Sequence, residues 1–350
     1  MNDGGGPLIL RGLDDVVAMA PHLVGAELAE SIVVLPIHGR GAPVARIDMP
    51  QSADDAQRVA AQLAPVYERY DSPVVVLAYT AGRRDLAELA CERLTEVLAA
   101  SCPVVAAATV NGDRWVRLDQ AEHGMVSTAT RDRVTAEALW RRGSNPYPSL
   151  AEHRASFAAG PNLLSAQAIT SARSHTESIL ADPQRLAEER AWVRLIVDRH
   201  VGTCTALPAP DAARLLADVQ DVGLRDVAWA CITRDEALGH GGLWKDLLTR
   251  APEGTEPPAA SLAAFSFWVH GDGLSARVAL ERIPPDTHYS MAGILDFAVR
   301  NGVDPKAFPM PSEQPDLARA VATAPTHGQQ RERRLPPRPT PPTPTPGVSR

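Results

Sequence analysis

The stretch "SPVVVLAYTAGRRDLAELACERLTEVLAASCPVVAAATV", residues 72–110, decides how the chain is read. Val74 to Tyr79 is a continuous apolar run set between Pro73 and Gly82. A run of that length, rich in β-branched residues, predicts a strand buried on both faces. From Arg83 the period becomes helical, with Asp85 and Glu88 at capping-box spacing near the start. A second apolar run begins after Pro103 and turns back at Asn111-Gly112, a pair favoured in type I′ hairpins. Strand, helix and strand with short connections predict a sheet covered by helices.

The flanking sequence extends this pattern. "SIVVLPIHGRGAPVARIDMP", residues 31–50, reads as a hairpin around Gly39-Arg40-Gly41. Pro36 lacks a backbone donor, so its strand is expected at an edge or with a bulge. Ser52 can cap a helix through "DDAQRVAAQLAPVYERY", with a kink or break at Pro65. "DDVVAMAPHLVG" forms a short helix closed by Gly25. Residues 1–125 are therefore expected to form an α/β domain, a mixed sheet with hairpins and helices packed on it.

Beyond residue 129 the strand signals stop. Helical segments are expected at 130–142, 150–158, 162–180, 184–200, 211–219, 224–237, 243–250, 260–270, 274–282 and 289–300. Gly- and Pro-rich separators divide them, which predicts an all-α domain over residues 126–310. Within it, "FSFWVHGDGLSARVALERI" (265–283) raises a choice between a phosphate or metal loop and a helix–helix turn. A phosphate loop needs a strand before it and Gly-Lys-Ser/Thr or GxGxxG spacing, and neither is present. Gly271-Asp272-Gly273 is thus expected to be the turn of an αα-hairpin, with small and large residues placed as in one tetratricopeptide unit.

Residues 311–350 hold ten of the 31 prolines, six arginines and three acids. Such a segment cannot form a packed core and is expected to be a disordered, Pro-rich tail. Its "RRLPPRP" offers Arg333, Pro336 and Pro339 in a polyproline-ligand pattern, or a plain flexible extension.

Composition narrows the function. A net charge of −7 disfavours nucleic acid as a partner. No apolar run is long enough to span a bilayer, and the N-terminus lacks a basic leader. Cys91, Cys102, Cys204 and Cys231 are too widely spaced for a zinc or redox pair and read as reduced thiols of a cytoplasmic protein. Neither HExxH nor GxSxG occurs, so no metal, cofactor or catalytic residue is assigned.

The segments "DDVVAMAPHLVG", "ESIVVLPIHG", "ARIDMP", "VVVLAYT" and "VNGDRWVRL" resemble an actinobacterial family known only as domain of unknown function 4192. The resemblance continues through "VQDVGLRDVAWA", "LWKDLLTRAP" and "WVHGDGLSARVALERI", nearly the whole chain before the tail. It implies no established activity. Members commonly carry Cys-Cys-Pro shortly after the "RW" hairpin. Here "LDQAEHGMVSTAT" has no cysteine, so a role for those thiols does not carry over.

The candidate ligand site is the turn after the central strand, since ligands sit outside strand carboxyl ends and helix N-termini attract anions. Tyr79, Gly82, Arg83 and Arg84 stand there, and Asp48, Asp113, Arg114 and Trp115 would join them if the sheet order allows. The competing reading is solvated arginines, an edge-strand acid, a turn residue and a core tryptophan. The leading expectation is a protein-interaction or ligand-sensing module, with a partner met through the helical domain or the Pro-rich tail. The alternative is an enzyme or binder of a small anionic, nucleotide-like ligand in the α/β crevice.

Overall fold

A computed structural model describes residues 9–37, 41–120, 122–142, 145–203 and 205–311; the tail after Pro311, Cys204 and most of the first hairpin turn lie outside them. Helix α1 (Leu13–Val24) precedes the hairpin β1 (Ser31–Pro36) and β2 (Ala45–Asp48). Then α2 (Ala53–Tyr70) leads into β3 (Val74–Tyr79), and α3 (Arg84–Leu98) crosses to β4 (Val104–Asn111). Strands β5 (Arg114–Arg117) and β6 (His123–Met125) complete a six-stranded sheet ordered β2-β1-β3-β4-β5-β6. Within it only β3 and β4 run parallel, so the sheet is mixed.

The apolar run of β3 works as its sequence predicts. Alternate residues point to opposite faces. Val74, Val76 and Ala78 pack with Ala56, Ala60 and Tyr67 of α2 and with Ala90 and Leu94 of α3. Val75, Leu77 and Tyr79 pack with Val17, Ala20 and Val24 of α1 and with Trp115. All six strand residues are buried.

Several local expectations shift. Pro36 lies in an inner strand, yet the β2 partners end at Val34, so its missing donor faces no strand. Helix α2 continues through Pro65. Asn111 pairs with Arg114, which moves the tight turn to Gly112-Asp113. Gly112 has φ +58° while Asp113 has negative φ, so the turn is not type I′, which needs positive φ at both positions. No capping box forms at α3; the Thr80 hydroxyl accepts from the Arg83 amide instead (2.9 Å). Ser52 caps α2 as expected, accepting from the Asp55 amide (3.1 Å).

The elements described after residue 125 are helical. They are α4 (Thr128–Arg142), α5 (Leu150–Ala155), α6 (Ala166–Leu180), α7 (Pro183–Thr203), α8 (Ala209–Asp218), α9 (Val222–Ala230), α10 (Ala237–Arg250), α11 (Glu256–His270), α12 (Gly273–Leu280) and α13 (Ser290–Arg300), then a 3₁₀ turn at Pro305–Ala307. The expected helix over 224–237 stops at Ala230, and in the turn before α10 Arg234 donates to the carbonyls of Pro305 (2.9 Å) and Phe308 (2.5 Å). Helix α11 starts four residues early because Pro257 and Pro258 occupy its first turn, where no amide donor is needed. It is buried from Glu256 through Trp268 and forms the axis of the helical core.

Gly271-Asp272 is a helix–helix turn. Gly271 ends α11 at φ +92°, and the Asp272 carboxylate accepts from the Ser275 amide (2.9 Å) to cap α12. Helix α4 lies on α1 through Met19, Val134 and Ala138, so the first of these helices covers the sheet side. The two halves also meet where the Tyr70 hydroxyl donates to the Gly302 carbonyl (2.6 Å).

Gly124 of β6 lies directly under the Trp115 indole, where a β-carbon would collide with the ring. Trp115 is buried and its Nε1 donates to Asp14, so it cannot swing away freely. Gly124→Ala should therefore cost about 1–3 kcal/mol by overpacking, measured as a lower urea midpoint with an altered tryptophan emission.

Candidate functional site

The parallel β3–β4 pair sets two strand carboxyl ends side by side. There the chain diverges, into α3 on one side and into the β4–β5 turn on the other. A cleft of about 410 Å³ opens at this point, between α1, α4 and the segment before β1. Tyr79, Thr80 and Val110 form its floor, and Asn145-Pro146 close one end.

The floor is rigid because its polar groups are held. The buried Tyr79 hydroxyl donates to the Val17 carbonyl (3.1 Å), and burial raises its pKa far above the ordinary value. The Thr80 hydroxyl donates to Glu30 (3.0 Å). The walls carry mixed charge: Glu27 and Asp113 are acidic, Arg131 is basic, and His22 lies 3.3 Å from the Thr135 hydroxyl. Arg131 and Asp113 form an ion pair at the mouth, both about half-exposed. The Val126 amide donates to the Asp113 carbonyl (2.8 Å), tying the β4–β5 turn to the start of α4.

Of the residues singled out from the sequence, the structure brings Tyr79 and Asp113 into this cleft. Arg83 turns away. It pairs with Glu30 (3.0 Å) and donates to Gln51 (2.8 Å). The Glu30 carboxyl is held below its ordinary range first by the Ala81 amide, against burial, and then by Arg83 and Thr80. Arg84 pairs with Glu88 (2.6 Å) along α3, and Gly82 is exposed beside it. Asp48 pairs with Arg46 (2.6 Å) at the end of the edge strand, its side chain 80% exposed. Arg114 is exposed on β5, and Trp115 is core. His22, Glu27, Arg131 and Thr135 were not foreseen, because α1 and α4 reach the cleft only through the tertiary fold. Among the described residues no group of three His, Cys, Asp or Glu side chains is placed to hold a metal ion.

A second, open groove of about 960 Å³ lies in the helical half, lined by the starts of α6 and α8 with His175, Arg214, Asp246 and Arg250. Behind it is a buried acid pair. Glu189 takes both arms of Arg214 (2.6 Å each), whose guanidinium stacks 3.9 Å from the Trp192 ring centre. Asp218 is fully buried and accepts from the Thr176 hydroxyl (2.7 Å). Burial first, and then the Glu189 carboxylate, push the Asp218 carboxyl up to about 8. Asp218 thus holds its proton beside the Glu189 carboxylate. The two arginines of the groove are likewise held by carboxylates, Arg214 by Glu189 and Arg250 by Asp246 (3.2 Å).

The model of the family described as Domain of unknown function (DUF4192) matches residues 14–306, and the chain belongs to that family. No curated protein and no solved structure matches it.

Asp218 gives a signed pH dependence. Its folded pKa lies above the unfolded value near about 3.9, so the unfolded chain loses this proton first. The associated stability is full below the unfolded pKa and is lost as pH rises toward about 8. Urea titrations should show wild-type stability falling across this window by up to about 1.4 kcal/mol per pH unit. Asp218→Asn, which keeps the side chain's size and has no carboxyl proton to lose, should flatten that slope.

Proposed function

We propose that this member of the family binds a small polar molecule in the cleft at the carboxyl ends of β3 and β4, and acts in the cytoplasm as a ligand-sensing module. The supporting observation is the convergence of Arg131, Asp113, Glu27 and His22 on a cleft of about 410 Å³ at the point where the sheet switches direction. That volume lies within the usual range for small-molecule sites, and such switch points are where open α/β sheets take ligands. Arg131 would meet an acceptor oxygen, such as a carboxylate or phosphate oxygen. Asp113 and Glu27 would meet N–H or O–H donors. A nucleoside-sized ligand with both kinds of group suits this lining better than a simple anion.

The division of the chain is part of the same proposal: a sheet-based unit over 1–125, a helical unit over 126–310 and a Pro-rich tail over 311–350. Separate core clusters on the sheet faces and among the helices from Phe157 onward support it, with α4 packed on α1 of the sheet unit. The hairpin of α11 and α12 is proposed as one tetratricopeptide-like unit. The helical unit and the tail are where a protein partner would be met.

A thermal-shift screen of polar metabolites tests the cleft. A true ligand at saturation should raise the Tm of wild type by several degrees. Ala29→Trp, which fills the cleft from an exposed position, and Arg131→Ala should abolish the rise, while Arg84→Ala should leave it intact. A hit that survives Ala29→Trp binds elsewhere and refutes the assignment, as does a screen with no wild-type hit.

A further inference from the structure

The chain contains two lysines, Lys245 and Lys306, among 35 basic side chains. Arginine serves nearly everywhere else, so a lysine set inside the fold marks a place that needs a compact ammonium rather than a planar fork. Lys245, on α10, is partly buried and forms no ion pair among the described residues. Its Nζ donates to the Tyr147 phenolic oxygen (3.1 Å) and to Ser156 Oγ (2.8 Å), and lies 4.3 Å from the Phe157 ring centre.

Tyr147 is fixed from several directions. Its carbonyl accepts from the Glu27 amide (2.8 Å), and its amide donates to the Gly25 carbonyl (2.9 Å). Its ring meets His153 edge-on at 4.3 Å. The Ser156 hydroxyl donates to the His153 carbonyl (2.7 Å) and lies 3.4 Å from the phenolic oxygen. The phenolic oxygen therefore accepts from Lys245 and has Ser156 Oγ as its other side-chain partner. This site is distinct from the cleft, whose lining includes Asn145 and Pro146 but not Tyr147.

The titratable groups facing it are Lys245 from α10, His153 from α5 and Asp272 from the α11–α12 turn. Burial pushes the phenol up. Its hydrogen bonds with Ser156 and Lys245, together with the Lys245 charge, outweigh burial and the opposing Asp272 carboxylate and bring it below the ordinary tyrosine value. Burial, opposed by Asp272, lowers the His153 pKa from its ordinary value.

We propose that Tyr147 is an activated phenol that exchanges a proton with the hydroxyl oxygen of a small alcohol, with Lys245 and Ser156 as its positioning residues. In the forward step the phenol first gives its own proton to solvent water, and the phenolate then takes the proton of the ligand hydroxyl. The ligand O–H bond breaks, the tyrosine O–H bond forms, and the negative charge passes to the ligand oxygen beside the Lys245 ammonium. Hydroxyl recognition follows from the geometry, since Lys245 can donate to the ligand oxygen while the phenolic oxygen receives its proton.

An aryl sulfonyl fluoride probe, applied to the full chain across a pH series, tests this without a known ligand. The phenolate oxygen attacks sulfur and fluoride leaves. Peptide mapping should place the label on Tyr147 ahead of Tyr70 and Tyr289, the two other tyrosines that are not fully buried by their neighbours. The labelling–pH midpoint should lie below that of free tyrosine and rise in Lys245→Met. Near neutral pH the labelling rate should fall about tenfold for every whole pH step by which that midpoint rises. Ser156→Ala should move the midpoint in the same direction by less, which keeps the test decisive if Lys245→Met does not fold. Label appearing first on Tyr70, Tyr289 or Lys245, or a Tyr147 profile that neither variant moves, overturns the proposal.

Discussion

The structure depends on burying both faces of β3. A strand with no polar side chain from Val74 to Ala78 can be stable in water only if helices cover it above and below. That demand places α2 and α3 on one face and α1 on the other. It also makes α3 a crossover, because the next strand must pair alongside β3 to satisfy its backbone. The parallel pair that results leaves two strand ends diverging, and the cleft is the space between them.

Charge inside this frame is mostly neutralised locally. Arg83 and Arg84 looked available for an anion because Arg side chains beside a helix start so often are. Glu30 and Glu88 hold them instead. Glu30 reaches Arg83 from before β1, a neighbour that exists only because β1 pairs with β3. The same logic satisfies Arg214 through Glu189 in the helical half. The mouth of the cleft follows it too, through Arg131 and Asp113. Tyr147 with Lys245 stands out, because that ammonium meets hydroxyls and has no carboxylate partner among the described residues.

Small side chains shape the helical half. Ala259, Ala260, Ala263 and Ala264 bury one stretch of α11 without bulk, and Gly241 of α10 lets the Phe267 ring lie against its backbone. Close packing of this kind explains how a chain with only 5% aromatic residues still fills its core. It also explains why α10 begins earlier than its apolar pattern suggests: Gly239 and Gly241 sit against Val201 and Phe267, and a weak local helix signal is overridden by packing.

The sequence by itself determined the strand–helix–strand unit, the helical second half, the Gly271-Asp272 turn and the Ser52 cap. Each of these rests on periodicity or on a residue acting upon neighbours within four positions. The sequence also carried the family resemblance. What only the tertiary structure decided was the sheet order, the short strand β6 seated against Trp115 through Gly124, and the membership of the cleft. Tyr79 and Asp113 were legible because they end the strands that make it. His22, Glu27, Arg131 and Thr135 were not, since burial of α1 and α4 against the sheet brings them there across a hundred residues of chain. Local propensity acts over a few residues, whereas a site is assembled by hydrophobic packing between distant ones.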